Sequence, residues 1–169
     1  MELTTDVLLR GPQWARVIDS LENIFKTRTN YSIFKLCTAI GIMYDQRIEK
    51  FEDGEEEPRN VPRNVIQNND NGNLDFMFRA AILSTTTEQF TEEERLELAF
   101  GDKQTIPFNK IQFLASFANY GMTKLEELIG EDNIESMENI KNFLVNTVSG
   151  NNYDIDSLPD DLLLEGDEF

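Results

Sequence analysis

Residues 31–44 read YSIFKLCTAIGIMY, and ten of these fourteen residues are apolar or aromatic. The apolar residues recur at the spacing of one face of an α-helix. That face is predicted to comprise Ile33, Leu36, Cys37, Ile40, Met43 and Tyr44. Only a strip near Lys35, Thr38 and Asp45 is left for water, and a helix that is apolar nearly all round is normally buried. We therefore expect a buried helix at the centre of the fold.

A glycine, Gly41, lies inside this predicted helix. Glycine in a helix interior costs about 1 kcal/mol relative to alanine. The cost is most easily explained if a neighbouring helix must approach the backbone closely at this position. The glycine therefore predicts a tight contact between two helices.

The central helix is predicted to form a hairpin with a helix that precedes it. This first helix begins at Pro12, which suits a first helical turn, and continues to Lys26. A short turn follows, in which Asn30 or Thr29 can cap the central helix. The apolar face of the first helix comprises Trp14, Val17, Ile18, Leu21, Ile24 and Phe25.

Residues 49–73 are predicted to be a loop, because an acidic run at 49–57 is followed by two prolines and an asparagine-rich segment. Such a length is unusual inside a compact domain, where long loops are functional or disordered. The acidic composition favours a mobile segment. Within this loop, the segment RNVPRNVI (59–66) is the part that could pack against the helical domain.

Two helices are predicted in the next part of the chain. The first covers 74–83, LDFMFRAAIL, with Asn73 as its cap. The second begins at a capping box formed by Thr91 and Glu94 and ends near Phe100, before Gly101.

Three further helices are predicted towards the C-terminus. The first covers 107–120, with Gly121 as the residue just past its end. Thr123 and Glu126 repeat the capping-box spacing and open a short helix, KLEELI. The last helix covers about 133–148, and its predicted apolar side comprises Ile134, Met137, Ile140, Phe143, Leu144 and Val148.

The predicted fold is all-α, a compact bundle of six or seven helices around the central helix, because no stretch shows comparable strand alternation. Residues 1–149 are predicted to form a single domain and residues 150–169 a tail. The chain has no run of eighteen apolar residues and begins MELTTDV, without a basic and apolar leader. We expect a soluble, cytoplasmic protein that makes no membrane contact.

The tail at 150–169 carries seven acidic residues and no basic one. Its apolar residues, interspersed among the acids, cannot build a core alone but can dock on a groove with an apolar floor and a basic rim. The alternative is that they pack back on the domain. The residues predicted to bind a partner are Tyr153, Ile155, Leu158, Leu162, Leu163, Leu164 and Phe169.

The net charge of −17 is unevenly distributed, since residues 1–48 carry +1 and the remainder carries −18. An acidic surface repels phosphate backbones, so nucleic acid is expected only indirectly or within a complex. The predicted central helix also offers scarcely any polar face to a DNA groove. The candidate contacts at the basic end are Arg10, Arg16, Lys26, Arg28 and Arg47.

Catalytic chemistry has few candidates in this sequence. Histidine is absent, the one cysteine is Cys37 on the predicted core face, and no glycine-rich phosphate-binding motif occurs. The acids lie in contiguous runs, and the calcium-loop spacing that starts at Asp70 places Ala81 where a glutamate is required. We expect no catalytic residue, no cofactor and no metal site, and we expect Cys37 to be a buried, unreactive thiol.

Three pieces of the chain resemble a known family. They are IFKTRTNYSIFKLCTAIGIMYDQR (24–47), LDFMFRAAIL (74–83) and FNKIQFLASFANYGMTKLEELI (108–129). Together they resemble the small accessory proteins encoded beside DNA phosphorothioation (Dnd-type) defence genes, over roughly residues 13–145. The sequence differs from that family in its longer acidic loop at 51–57 and its acidic tail.

The resemblance implies a non-catalytic accessory subunit of a prokaryotic antiphage defence complex. The acidic charge of the chain adds the expectation that it contacts other protein subunits through their basic surfaces. Two alternatives stay open. One is an acidic DNA mimic that inhibits a nucleic-acid-binding protein. The other is a nuclease component that uses carboxylates and Mg²⁺.

Overall fold

The computed structural model describes residues 4–27, 29–52, 57–101 and 106–148. The predicted tail at 150–169 and residues 53–56 of the acidic loop lie outside the described residues. The described elements, in chain order, are β1 (Val7–Leu9), α1 (Pro12–Leu21), α2 (Thr29–Tyr44), β2 (Arg59–Val61), α3 (Arg63–Asn69), α4 (Asn73–Ser84), α5 (Glu92–Phe100), α6 (Lys110–Glu126) and α7 (Asn133–Val148). The all-α fold class is confirmed, with seven helices in the described part of the chain.

The buried central helix is confirmed as α2, which packs along its length against α6. Its predicted buried face is only partly correct, because Met43 and Tyr44 at its C-terminal end are exposed. Thr38, predicted to face water, is fully buried. Its hydroxyl donates a 2.8 Å hydrogen bond to the Phe34 carbonyl one turn earlier, so the polar group is satisfied inside the core.

Gly41 makes the predicted close approach. A methyl group at Gly41 would overlap the Phe117 carbonyl oxygen and would lie 2.9 Å from the Phe117 Cα. The contact is reciprocal, since a methyl group at Gly121 of α6 would overlap the Cys37 carbonyl oxygen. The two helices therefore touch backbone to backbone, with one glycine from each at the crossing.

The predicted helix end at Gly121 is wrong, because α6 is one continuous helix from Lys110 to Glu126. The described glycines with positive φ are Gly11 and Gly72, so Gly121 does not adopt the left-handed conformation of a helix end. Thr123 opens no new helix, since its hydroxyl donates to the Tyr120 carbonyl within α6. A glycine is required at position 121 because the backbone of α2 leaves no room for a side chain there.

The predicted loop at 49–73 contains β2 and α3, and residues 59–66 pack on the body. β2 pairs antiparallel with β1, with Val7 opposite Val61 and both side chains buried. Asp6 joins this sheet to α3, because its carboxylate accepts 2.8 Å hydrogen bonds from the Arg63 backbone N–H and the Asn60 amide. These bonds hold the pKa of Asp6 below its usual value.

The start of α4 also differs from the prediction, since the side chain of Asn73 does not cap it. Gly72 precedes the helix in the left-handed conformation. The buried Asp70 carboxylate accepts from the Leu74 N–H and, at 2.7 Å, from the Tyr31 hydroxyl. Asp70 thereby ties the start of α4 to α2.

The capping box at the start of α5 is confirmed, with Thr91 and Glu94 each accepting from the other's backbone N–H. α5 ends at Phe100, as predicted. Arg95 fixes α5 against α4, donating to the carbonyls of Ile82 and Glu88. By contrast, α1 ends at Leu21, five residues before the predicted end at Lys26.

Candidate docking surfaces

The final helix, α7, begins and ends where the sequence predicts. Its first turn is set by Asp132, whose carboxylate accepts 2.8 and 2.9 Å bonds from the N–H groups of Ile134 and Glu135. Ser136 reinforces this turn by accepting from the Gly130 N–H and donating to the Asp132 carbonyl. Ser136 and Ile140 are buried against the body and Phe143 is half-buried. These three residues form the body-facing side of α7.

A second apolar face of α7 points to solvent. Its side chains are exposed by 66% at Ile134, 52% at Met137, 40% at Leu144 and 53% at Val145. Lys141 lies among them and is also exposed. We call these five residues the outer face of α7. The prediction placed Ile134, Met137 and Leu144 on the same side as Ile140, whereas the structure separates the four into a buried and an exposed group.

Acidic residues lie beside the first half of the outer face. Glu131, Asp132, Glu135 and Glu138 are all exposed at or near the start of α7. No lysine or arginine occurs between Lys124 and Lys141. The surroundings of the N-terminal half of the outer face are therefore negatively charged.

A second exposed apolar surface spans α4 and α5. Phe76, Leu83, Leu96 and Phe100 are exposed, Phe76 by 72%. The Arg79 guanidinium lies 5.9 Å from the centre of the Phe100 ring and so links the two helices at the surface. We call these five residues the α4–α5 surface.

An open groove of about 590 Å³ lies where the end of α2 and the second half of α6 meet α7. The rings of Tyr44 and Tyr120 meet in this groove, with centroids 5.9 Å apart, and Leu128 and Phe143 also line it. Lys124 in the groove bonds to Glu127 at 3.0 Å, and this bond raises the pKa of Lys124. The groove thus has aromatic walls, and its one lysine, Lys124, is already paired with Glu127.

Arg47, a predicted nucleic-acid contact, is held by the protein itself. Its side chain is only 13% exposed and lies over the rings of Phe113 and Phe117, 5.1 and 5.6 Å from their centres. It forms a 2.5 Å ion pair with Glu88 and donates to the Thr87 hydroxyl. The Arg47 guanidinium is therefore engaged in joining α6 to the segment after α4.

The other predicted nucleic-acid contacts have different surroundings. Arg16 is exposed and forms a 2.8 Å ion pair with Glu126 of α6. Arg10 and Lys26 are exposed, and Arg28 lies outside the described residues. Two of the four described cations thus already face carboxylates of the same chain.

The predicted partner-binding residues of the tail, from Tyr153 to Phe169, lie outside the described residues. The outer face of α7 was missed as a site, although its signal is present in the sequence. Ile134, Met137 and Leu144 follow a spacing distinct from that of Ser136, Ile140 and Phe143. Because α7 carries two apolar arcs, a prediction of one apolar side merges the exposed arc with the buried one.

Cys37 is fully buried, and burial raises the pKa of its thiol, which keeps the thiol protonated and unreactive. Within the described residues, no group of three or more acids and thiols is arranged to hold a metal ion. None of the helices in that part of the chain combines the length and the apolar character needed to cross a membrane.

No family model, curated protein or solved structure matched this chain. The sequence resemblance to accessory proteins of Dnd-type systems therefore stays an expectation. The surfaces described above are the physical basis on which a function is proposed.

Proposed function

We propose that the protein is a non-catalytic subunit that works by binding another protein. The observation that carries this proposal is the outer face of α7, which leaves four large apolar side chains exposed on a 16-residue helix. Contiguous exposed apolar patches on soluble proteins commonly mark interaction sites. The acidic surroundings of this face favour a partner with a basic surface.

The setting that we propose is a prokaryotic antiphage defence complex, in which the protein serves as an accessory subunit. Support for this setting comes from the resemblance of residues 24–47, 74–83 and 108–129 to proteins encoded with Dnd-type systems. The tail at 150–169 is proposed as a second docking element, because its leucines and acids would suit the same kind of basic partner.

A DNA mimic is the second candidate, favoured by the exposed acids of α5 and α7. Glu92, Glu93 and Glu94 share one helical turn, and Glu131, Asp132, Glu135 and Glu138 lie at the start of α7. A mimic of phosphates needs no apolar face beside its acids, however. The outer face of α7 therefore favours a protein partner that is not simply a DNA-binding cleft.

The test is purification of the tagged full chain from its native host, followed by size-exclusion chromatography with light scattering and mass spectrometry. We expect a second protein to co-elute in a fixed ratio. Parallel purification without residues 150–169 tests the tail, and recovery of the same complex at the same yield would show that the tail is dispensable.

Three further measurements separate the alternatives. Deletion of the gene in a host that carries a defence system should lower protection against phage, as measured by plaque counts. A fixed complex with a DNA-binding protein that is displaced by duplex DNA would favour the mimic. Cleavage of DNA by the purified chain with Mg²⁺ would contradict a non-catalytic role.

A further inference from the structure

The outer face of α7 has the geometry of one half of a helix–helix contact. Residues in a helix are about 100° apart around its axis, so Ile134, Met137, Leu144 and Val145 fall within an arc of roughly 100°. Ser136, Ile140 and Phe143 fall in a separate arc, and these are the residues that face the body. Among the described residues, nothing packs closely enough on the outer arc to bury it.

Four residues of this outer face repeat with steps of three, four and three: Ile134, Met137, Lys141 and Leu144. This is the spacing of the first and fourth positions of a heptad, which align side chains along a seam that a second helix can fill. A β-branched residue stands at one first position, and Met and Leu stand at the fourth positions. An apolar face with this repeat fits a helix better than an extended strand or a flat surface.

We infer that the outer face of α7 binds an amphipathic helix of a partner protein whose polar flanks are basic. This inference rests on the proposed function and names the partner's chemistry. The charge beside the seam favours a basic partner, because Glu131, Asp132, Glu135 and Glu138 are exposed there, whereas Glu126 and Glu127 are paired with Arg16 and Lys124. A basic helix would place its lysines or arginines beside Glu135 and Glu138, both exposed.

A second copy of the chain fits this face less well. Two copies would bring the same acidic stretch together, and each chain carries a net charge of −17. Pairing of like charges across an interface is unfavourable, whereas opposite charges speed association and select the partner. Lys141 is the one base in the seam, and it would repel cations of a basic partner at seam-facing positions. The partner's seam-facing positions must therefore be apolar, with its bases confined to the flanks.

The test uses a defined probe in place of the natural partner. It is an 18-residue fluorescent peptide with leucine at the first and fourth heptad positions and lysine elsewhere. One control peptide has the same composition in scrambled order, and another has glutamate in place of lysine. Binding to the purified full chain is measured by fluorescence anisotropy at low and high salt.

We expect the patterned basic peptide to bind at least roughly tenfold more tightly than either control, with affinity falling as salt rises. The variant carrying Ile134→Ser and Leu144→Ser should lose about tenfold or more in affinity. The matched control is Leu83→Ser with Leu96→Ser on the α4–α5 surface, where exposure is similar, and it should bind normally. Lys141→Leu should tighten binding, because it adds apolar surface and removes a charge of the same sign as the peptide. Circular dichroism melts of each variant check that the fold is retained.

Several results would overturn the inference. Equal binding of the scrambled peptide would mean charge attraction alone, and normal binding by the α7 variant would place the site elsewhere. Sedimentation equilibrium that shows a dimer, lost in the α7 variant, would assign the face to a second copy. If the α7 variant still yields the native complex and the patterned peptide does not bind the unaltered chain, only this inference fails. If the peptide binds as expected but the native host yields no complex, the proposed function fails instead.

Discussion

The α2–α6 pair and α7 carry similar apolar residues, but these are buried at the α2–α6 contact and exposed on one face of α7. At the crossing of α2 and α6, Gly41 and Gly121 let the two backbones touch, and the surrounding side chains are buried. On α7, Ile134, Met137 and Leu144 are left in water. The difference shows that apolar periodicity identifies a helical face that can be buried, while a neighbouring backbone decides whether that face is buried within the same chain.

The largest expected effect is at the glycine crossing. Alanine normally stabilises a helix interior by about 1 kcal/mol relative to glycine. Gly41→Ala or Gly121→Ala should instead destabilise the protein by about 3 kcal/mol or more, because the added methyl would overlap a backbone carbonyl that cannot move as a side chain does. Urea unfolding followed by circular dichroism measures the loss.

Gly72→Ala is the matched control for this crossing. Gly72 has a φ of 80° and no neighbouring atom within 4 Å of an added methyl, so only backbone strain of roughly 1–2 kcal/mol is expected. A Gly41→Ala protein as stable as the wild type would mean that the two helices do not touch at this position.

A smaller effect is expected at the polar link between α1 and α6. Asn119 accepts a 2.9 Å hydrogen bond from the indole N–H of the buried Trp14 and donates a 2.9 Å bond to the Ile48 carbonyl. Asn119→Ala should cost about 1–3 kcal/mol, because it leaves the buried indole N–H without its acceptor. Thermal melts and tryptophan fluorescence both report this change.

Asn139 provides the comparison on α7. Its amide donates a longer bond, 3.3 Å, to the Leu128 carbonyl. Asn139→Ala should therefore destabilise the protein less than Asn119→Ala. An equal loss in the two variants would mean that α7 is held to the body as firmly as α1 is held to α6.

The stability of the α2 end should depend on pH through Asp45. Burial tends to raise the pKa of Asp45, but hydrogen bonds from the Thr85 hydroxyl and from the Thr86 hydroxyl and N–H outweigh burial and lower it. A lowered pKa in the folded state stabilises the protein above the unfolded value, near pH 3.9, and this stabilisation is lost as pH falls through the folded value. Asp45→Asn should therefore flatten the dependence of unfolding free energy on pH below about pH 5. An unchanged acid dependence would rule out this role for Asp45.

The smallest expected effect on stability is on the outer face of α7. Leu144→Ser and Met137→Ser should each change the unfolding free energy by less than about 1 kcal/mol, because 40% of Leu144 and 52% of Met137 is already exposed. Ile140→Ala, on the buried side of the same helix, should cost about 2 kcal/mol or more. Equal losses at Leu144 and Ile140 would show that the outer face is covered in the free protein.

Much of the helix content followed from local signals. The capping box at Thr91 and Glu94, the start at Pro12 and the bounds of α7 all depend on residues within a few positions of each other. The predicted helix end at Gly121 failed because a glycine serves equally for a left-handed turn and for a close helix contact. No residue near Gly121 distinguishes these two uses.

The amino-acid sequence by itself determined that the chain is helical and that its central helix is largely buried, because these depend on periodicity and on side-chain polarity. The tertiary structure alone decided that α6 runs through Gly121, that Thr38 faces the core, and that Ile134, Met137, Leu144 and Val145 of α7 stay exposed among the described residues. Each of these depends on where a distant part of the backbone lies. The local sequence does not specify where that distant backbone lies. A side chain is buried only if another segment packs on it, and the packing of the whole chain decides which segment does.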